Sequence, residues 1–294
     1  MSAEVFKWVT ADGLAFDLST GIDGIRVLQS VTGRFMPPIR STEEIVPLQP
    51  GQRQRSIVHD QSAVTLAVRF TGGDLAGLRS VVRAWLARLD PTRGDGKLQV
   101  VDPFGATREL SCAYQDGLEF DENATTRTPY GEQLAVITFT ANDPYWADIT
   151  DTVDSFTAGT PPTFFPFFPL VLGASQIFGM TTVTNVGDVA TYPVWTITGP
   201  GTDVVLQNAT SGRTLEWAGT LGIGETLTLD ARGGNQSPAP KSVVKNDGSN
   251  QFGLLAQFDF WPFVPGDNTL NISMNAATGA SVVSVAYRAR YLGA

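Results

Sequence analysis

The stretch GEQLAVITFTANDPYWAD, residues 131–148, decides how the chain is read. Its first ten residues are rich in β-branched and alternating side chains, which is the pattern of a strand. The residues that follow cannot prolong it. Pro144 has no N–H to give to a ladder, and Asp143 before it favours a turn. Tyr145 and Trp146 then supply large apolar area with which to pin the chain. Asp143, Pro144, Tyr145 and Trp146 are therefore expected to close one domain and to form a stiff junction to the next.

Composition changes across this point. Residues 1–148 hold 14 basic and 19 acidic side chains, a net of −5, whereas residues 149–294 hold 6 and 10, a net of −4. Charge density falls while Gly, Thr and Asn rise, so the 294 residues are expected to form two domains, 1–150 and 173–294. Between them SFTAGTPPTFFPFFPLVLG, within a connector at 151–172, carries prolines that forbid helix and phenylalanines that should dock on a neighbouring surface.

One segment reads as helix. In GGDLAGLRSVVRAWLARLDP, about 72–90, Leu75, Leu78, Val81, Val82, Trp85, Leu86 and Leu89 recur at three and four, with Asp74 to cap the start and Pro91 to stop the end. Nearly everything else reads as strand. AVTLAVRF (63–70) is one, and residues 97–120 form a hairpin turned by Asp102-Pro103-Phe104-Gly105. Residues 30–62 form a long polar stretch, of the kind that is functional or becomes ordered against a partner. The second half is a series of short strands divided by Gly, Asn and Asp, which suggests an antiparallel sandwich. The fold class expected is mainly β, with one amphipathic helix in the first domain.

Several chemistries are excluded by counting. One cysteine, Cys112, allows no intrachain disulfide and no thiolate metal cluster; one histidine, His59, allows no His-rich metal site. A formal charge of −9 repels nucleic-acid phosphates. No apolar run approaches the roughly 18–20 residues of a spanning helix, and the start MSAEVFKWVTADG is read without a secretory leader. No phosphate loop or dinucleotide fingerprint occurs. The neighbouring acids of STEE (41–44) and DENA (121–124) lie in polar loops and read as solvated; Cys112 alternates within a strand as a small apolar residue. No catalysis and no cofactor are expected.

The two halves together resemble the distal tail proteins of long-tailed, non-contractile bacteriophages, the siphovirus-type tail component family. The first half carries the resemblance in its strand–helix–strand order and in the closing FTANDPYWAD. The second carries it in GETLTLD (224–230), NDGSN (246–250), FWPFVPGDNTLNI (260–272) and SVAYRARYLGA (284–294). The resemblance implies a first domain that forms a ring, usually of six copies, and a second that is a galectin-like sandwich. Such a protein sits in the virion at the distal end of the tail. It joins the tail-tube protein to the tail-tip hub or tail-associated lysin, with a receptor-binding protein as a further partner. DNA passes the lumen without specific binding, past a wall suited by its negative charge, and no membrane is engaged.

If a ring forms, the stretch at 30–62 gains a reason. A closed ring needs two complementary faces on each copy, and an arm bearing Arg34, Phe35, Met36, Arg53 and Arg55 is expected to lie over the adjacent copy. The pair Arg53 and Arg55 either meets a neighbour's acids or is simply solvated. The alternative function is a carbohydrate-binding adhesion protein, with Trp195, Trp217 and Trp261 as stacking platforms or, in their alternating strands, as core.

Overall fold

The computed structural model of the protein describes residues 4–45, 48, 50–119, 127–128, 131–157, 175–233 and 241–294. The chain divides into two units: Met1–Ile149 together with Tyr291–Ala294, and Thr150–Arg290. Strand dominates both, and one α-helix occurs among the described residues. None of the described helices is long and apolar enough to cross a membrane.

Unit 1 begins with β1 (Val5–Val9), β2 (Ala15–Asp17) and β3 (Ile25–Thr32). It continues through β4 (Ile39–Glu44), β5 (Arg53–His59), β6 (Ser62–Thr71) and α1 (Leu75–Leu89). It ends with β7 (Gly96–Val101), β8 (Thr107–Asp116), β9 (Arg127–Thr128), β10 (Glu132–Ala141) and β11 (Trp146–Asp148). The main sheet runs β2-β1-β7-β8-β10-β6-β3, with β9 added to β10 and β11 to β8. Strand β6 shows the alternation that the sequence promised: Val64, Leu66, Val68 and Phe70 are buried and the residues between them are not. The β7–β8 turn closes on Asp102, whose Oδ1 accepts from the N–H groups of Phe104 (2.7 Å) and Ala106 (3.0 Å).

Helix α1 starts where expected, with Asp74 accepting from Gly77 N–H at 2.6 Å. Its buried line is narrower than the apolar stripe in the sequence. Leu78, Trp85 and Leu89 are buried and Val81 and Val82 pack beside them, whereas Leu75 and Leu86 face solvent. A helix lying on a sheet buries only the arc that meets it. Trp85 donates to Asp23 O at 2.9 Å and Trp8 to Arg88 O at 2.9 Å, so both indole N–H groups are satisfied in the core. Trp8 also stacks on Phe139, with ring centroids 4.8 Å apart.

The closing residues of the chain return to this unit. The last of the described strands, β22 (Arg290–Tyr291), pairs with β11. Tyr291 donates to Asp148 Oδ2 at 3.1 Å and lies under the Arg108 guanidinium, 3.7 Å from the ring centroid. Arg108 also donates to Gly293 O at 2.6 Å, and Arg34 donates to Ala294 O. Arg34 grips Glu4 as well, through Nη2 at 2.7 Å. These hydrogen bonds hold the Glu4 carboxyl below the usual carboxylate range despite partial burial. The clasp therefore contributes fully above the unfolded pKa of Glu4 and weakens as pH falls through its folded one.

Unit 2 opens with β12 (Thr152–Thr157), so the first residues expected in a connector instead form a strand. Thr152–Thr157 alternate in exposure and pair with β21, a role that the Pro-rich residues after them obscured in the sequence. Residues 158–174, the core of the expected connector, lie outside the described residues. There follow β13 (Ser175–Asn185), β14 (Val194–Thr198), β15 (Gly201–Asn208), β16 (Arg213–Leu221) and β17 (Thr226–Asp230). Then come β18 (Ser242–Lys245), β19 (Leu255–Phe258), β20 (Gly266–Asn275) and β21 (Val282–Tyr287). They make two antiparallel sheets, β12-β21-β14-β17-β18 and β13-β20-β15-β16-β19. Residues of both sheets share one core, in which Trp195, Trp261, Phe263 and Tyr287 meet edge to face or tilted, with Trp217 buried alongside. This is a β-sandwich.

The short motifs that carry the resemblance are its turns. In PGDN, Asn268 is fully buried; its Nδ2 donates to Val264 O (2.8 Å) and Gly266 O (3.0 Å), and its Oδ1 accepts from Val264 N–H (3.0 Å). Glu225 of the GETLTLD strand accepts from Gly222 N–H (2.7 Å) and from Lys245 (3.0 Å). In NDGSN, Asp247 accepts from Ser249 N–H and Asn250 from Phe252 N–H. Each polar residue closes its own loop, which is what lets short strands reverse within so few residues.

Two outcomes follow from these cores. Trp146→Ala removes a side chain that is 1% exposed, and should cost about 3–5 kcal/mol. Hydrogen exchange should show the loss in β8, β10 and β11, and uniform loss over both units would contradict this placement. Asn268→Ala removes a fully buried amide and its three bonds to the partly covered backbone of Val264 and Gly266, at about 1–3 kcal/mol in all. Chemical denaturation read at the sandwich tryptophans should show a lower midpoint, and an unchanged midpoint would mean that water replaces the amide.

Candidate assembly interface

Residues 30–62, expected as one long polar stretch, contain a hairpin. Strands β4 and β5 form a two-stranded sheet of their own, with Ile39 opposite His59, Arg40 opposite Val58 and Ser41 opposite Ile57. Every residue of β4 is exposed, as is every residue of β5 except His59. Such a ribbon has a core on neither face, and an isolated hairpin is marginal in water. Ile39 and Ile57 stand on one face at 60% and 57% exposure, and Val58 on the other. Apolar side chains held out in this way mark a surface awaiting cover.

The base of the hairpin is held firmly. Gly33, at the turn from β3, has φ +77°, and a Cβ there would come 1.8 Å from Ala63 O, so no other residue fits. Asp60 N–H donates to Pro38 O at 2.8 Å, and Arg40 meets Asp60 at 3.7 Å. His59 Nδ1 lies 2.8 Å from Tyr145 Oη, with the two rings edge to face at 5.5 Å. Here the residues singled out in the sequence converge. Tyr145 of the acidic-Pro-aromatic knot braces the last residue of the arm, while Pro144 and Trp146 are buried and Asp143 is half-buried.

The arm residues divide into two groups. Arg34 is not part of a free arm: it is engaged with Glu4 and with Ala294 inside unit 1. Phe35, 68% exposed, stands beside Gly293 and near the Arg34 guanidinium, and Met36 is exposed next to it. Arg53 and Arg55 lie on β5, where Arg53 is exposed opposite Glu44 and Arg55 forms an ion pair with Glu44. Those ion-paired side chains are about half exposed, and such pairs contribute little stability. Sequence reasoning missed Glu4, Arg108 and Tyr291, whose contacts with Arg34, Gly293 and Asp148 span tens to hundreds of positions.

No constellation for chemistry emerges from the same residues. Cys112 is buried, and that burial pushes its thiol up to about 12. No group of three or more His, Cys, Asp or Glu suited to a metal ion occurs among the described residues. Trp195, Trp217 and Trp261 are at most 2% exposed, so they are core and not stacking platforms for a sugar.

Comparison with known proteins agrees with the geometry. Residues 186–291 match the family model of the siphovirus-type tail component, C-terminal domain. No curated protein matches the sequence. The crystal structure of the phage SPP1 Dit protein, described as a paradigm of the hub adsorption apparatus in phages infecting Gram-positive bacteria, is similar at a TM-score of 0.69 and 15% identity. The likeness covers 98% of this chain and 99% of that one. A chain of the phage P2 baseplate in its activated conformation with calcium is similar at 0.51 and 11%, covering 98% of each chain. The resemblance to siphovirus-type tail components is thus found in the sequence of residues 186–291 and, as a fold, along the whole chain.

Proposed function

We propose that the protein is a structural component at the distal end of a siphovirus-type tail, assembling through unit 1 into a homo-oligomeric ring between the tail tube and the tail-tip hub. The observation that carries this reading is the fold likeness to SPP1 Dit over 98% of one chain and 99% of the other, together with the tail-component family match over residues 186–291. Six copies, the number usual in the resembling family, is the expected stoichiometry. The exposed hairpin supports assembly through unit 1, because a ribbon with no core of its own gains stability only by lying against another surface. Ring closure needs two unlike faces on each copy, and the hairpin supplies one of them. The net charge of −9 suits a lumen that DNA passes without adhering. Receptor-binding and lysin components are the further partners expected at the hub. Turnover has no place in this reading, and burial of all three sandwich tryptophans removes the feature that favoured a glycan-binding role.

The mass of the purified chain, measured by light scattering and followed by negative-stain imaging, tests the proposal. Multiples of the 294-residue chain that appear as annuli are expected; solitary particles at high concentration would overturn it. Replacing residues 41–57 with an Asn-Gly turn keeps the pairs Ile39–His59 and Arg40–Val58, and two-residue loops of this kind suit such pairs. This variant should remain folded and lose the annuli. Persistence of the annuli would show that the hairpin is not the assembling element.

A further inference from the structure

Five aspartates of the chain stand directly before a glycine: Asp12, Asp23, Asp95, Asp116 and Asp247. Such a pair can rearrange without an enzyme, because the unhindered glycine nitrogen can attack the aspartate Cγ and close a succinimide ring. Four of the five are guarded by the fold. Gly13 N–H donates to Thr10 O (2.8 Å), Gly24 N–H to Gly21 O (3.1 Å) and Gly248 N–H to Lys245 O (2.9 Å), so each of these nitrogens is tied back into its own turn. Two of the carboxylates are occupied as well: Asp23 Oδ2 accepts from Asp17 N–H, and Asp247 Oδ1 from Ser249 N–H. Gly96 is buried at the head of β7 opposite Cys112, where a Cβ would come 2.3 Å from the Trp8 ring.

Asp116–Gly117 differs. Gly117 N–H donates to Oδ1 of Asp116 itself, at 2.6 Å. Nucleophile and carboxyl are therefore already in contact, which removes much of the entropic cost of bringing them together. Asp116 is exposed at the end of β8, so water reaches the carboxyl and any ring formed from it. We propose that Asp116–Gly117 is a site of spontaneous backbone modification, at which Asp116 converts to isoaspartate in the folded protein.

The step balances with water alone. Gly117 N bonds to Asp116 Cγ, and its hydrogen leaves with the hydroxyl of the protonated carboxyl as water. Water then opens the ring at the former main-chain carbonyl of Asp116. The chain now runs through Cγ, the former carbonyl becomes a free carboxylate, and the mass is unchanged. The backbone has gained a carbon for which there is no room. A Cβ on Gly117 would come 1.7 Å from Val136 O, Leu118 N–H is bound to Tyr114 Oη at 3.1 Å, and Asp116 stands opposite Thr138 of β10. Each converted chain thus loosens the β8–β10 pairing beside Tyr114 and Leu118, which pack on the core of unit 1.

Warm incubation of the full-length protein at weakly acidic pH, followed by tryptic mapping, tests this. Peptide 109–127 contains Asp116–Gly117 and no other Asp-Gly pair. It should split into two chromatographic forms of equal mass, with electron-transfer fragmentation placing the isoaspartate at Asp116. The new form should grow several-fold faster than isoaspartate at Asp12, Asp23, Asp95 or Asp247. In urea, where the turns are lost, the five pairs should convert alike. Equal rates at the five in the folded protein, or no conversion at Asp116, would overturn the proposal. So would the same preference for Asp116 in urea, because the cause would then lie in the sequence and not in the fold. Asp116→Glu lengthens the side chain so that ring closure is slow, and this variant should lose the second form; its persistence would assign the split to another residue and sink the site.

Discussion

Unit 1 depends on a clasp between residues far apart in the chain. Arg34 and Arg108 draw in the segment Tyr291–Ala294, and Asp148 holds it through Tyr291. The chain leaves unit 1 after Ile149 and re-enters it at Tyr291, and the strands at the two points, β11 and β22, are hydrogen-bonded neighbours. A segment of some 140 residues can be inserted there at small entropic cost, because the two ends are already close. Charge-assisted bonds suit the task. Tyr291 and Ala294 pack against the core of unit 1, and the guanidinium bonds to Gly293 O and Ala294 O add direction to that contact.

The same region shows why an acidic-Pro-aromatic knot follows a long strand. Pro144 stops β10, Trp146 fills the core of unit 1, and Tyr145 reaches the last residue of the exposed hairpin. One tetrapeptide thus ends a strand, anchors the next and braces the element proposed to assemble. In the sandwich, polar residues act locally instead. Asn268, Glu225 and Asp247 each close a single turn. That is why such motifs are legible as short words, whereas core positions tolerate exchange among apolar residues of similar size.

Legibility in the sequence followed periodicity. The helix, its cap at Asp74, the alternation of β6 and β10 and the Asp102 turn all carry local signals, and all were readable. The hairpin was not, because both of its faces meet solvent, and alternation of apolar and polar residues arises only when one face is buried. For the same reason the apolar stripe of α1 was overdrawn: Leu75 and Leu86 are spaced correctly but lie beyond the arc that the sheet covers. Strand β12 was hidden by its Pro-rich neighbours. The clasp left no trace at all, since a sequence pattern does not report which arginine among many will meet a residue 185 or 260 positions away.

The late return of the chain also sets an order of events during synthesis. Unit 1 lacks Tyr291–Ala294 until all of Thr150–Arg290 has been translated, so its clasp cannot close before unit 2 has been made. Domains fold as units while the ribosome is still at work, but here the first half of the chain waits for the residues that follow unit 2. The contacts of Arg34 and Arg108 with Ala294 and Gly293 therefore form after the sandwich has been synthesised, never before it.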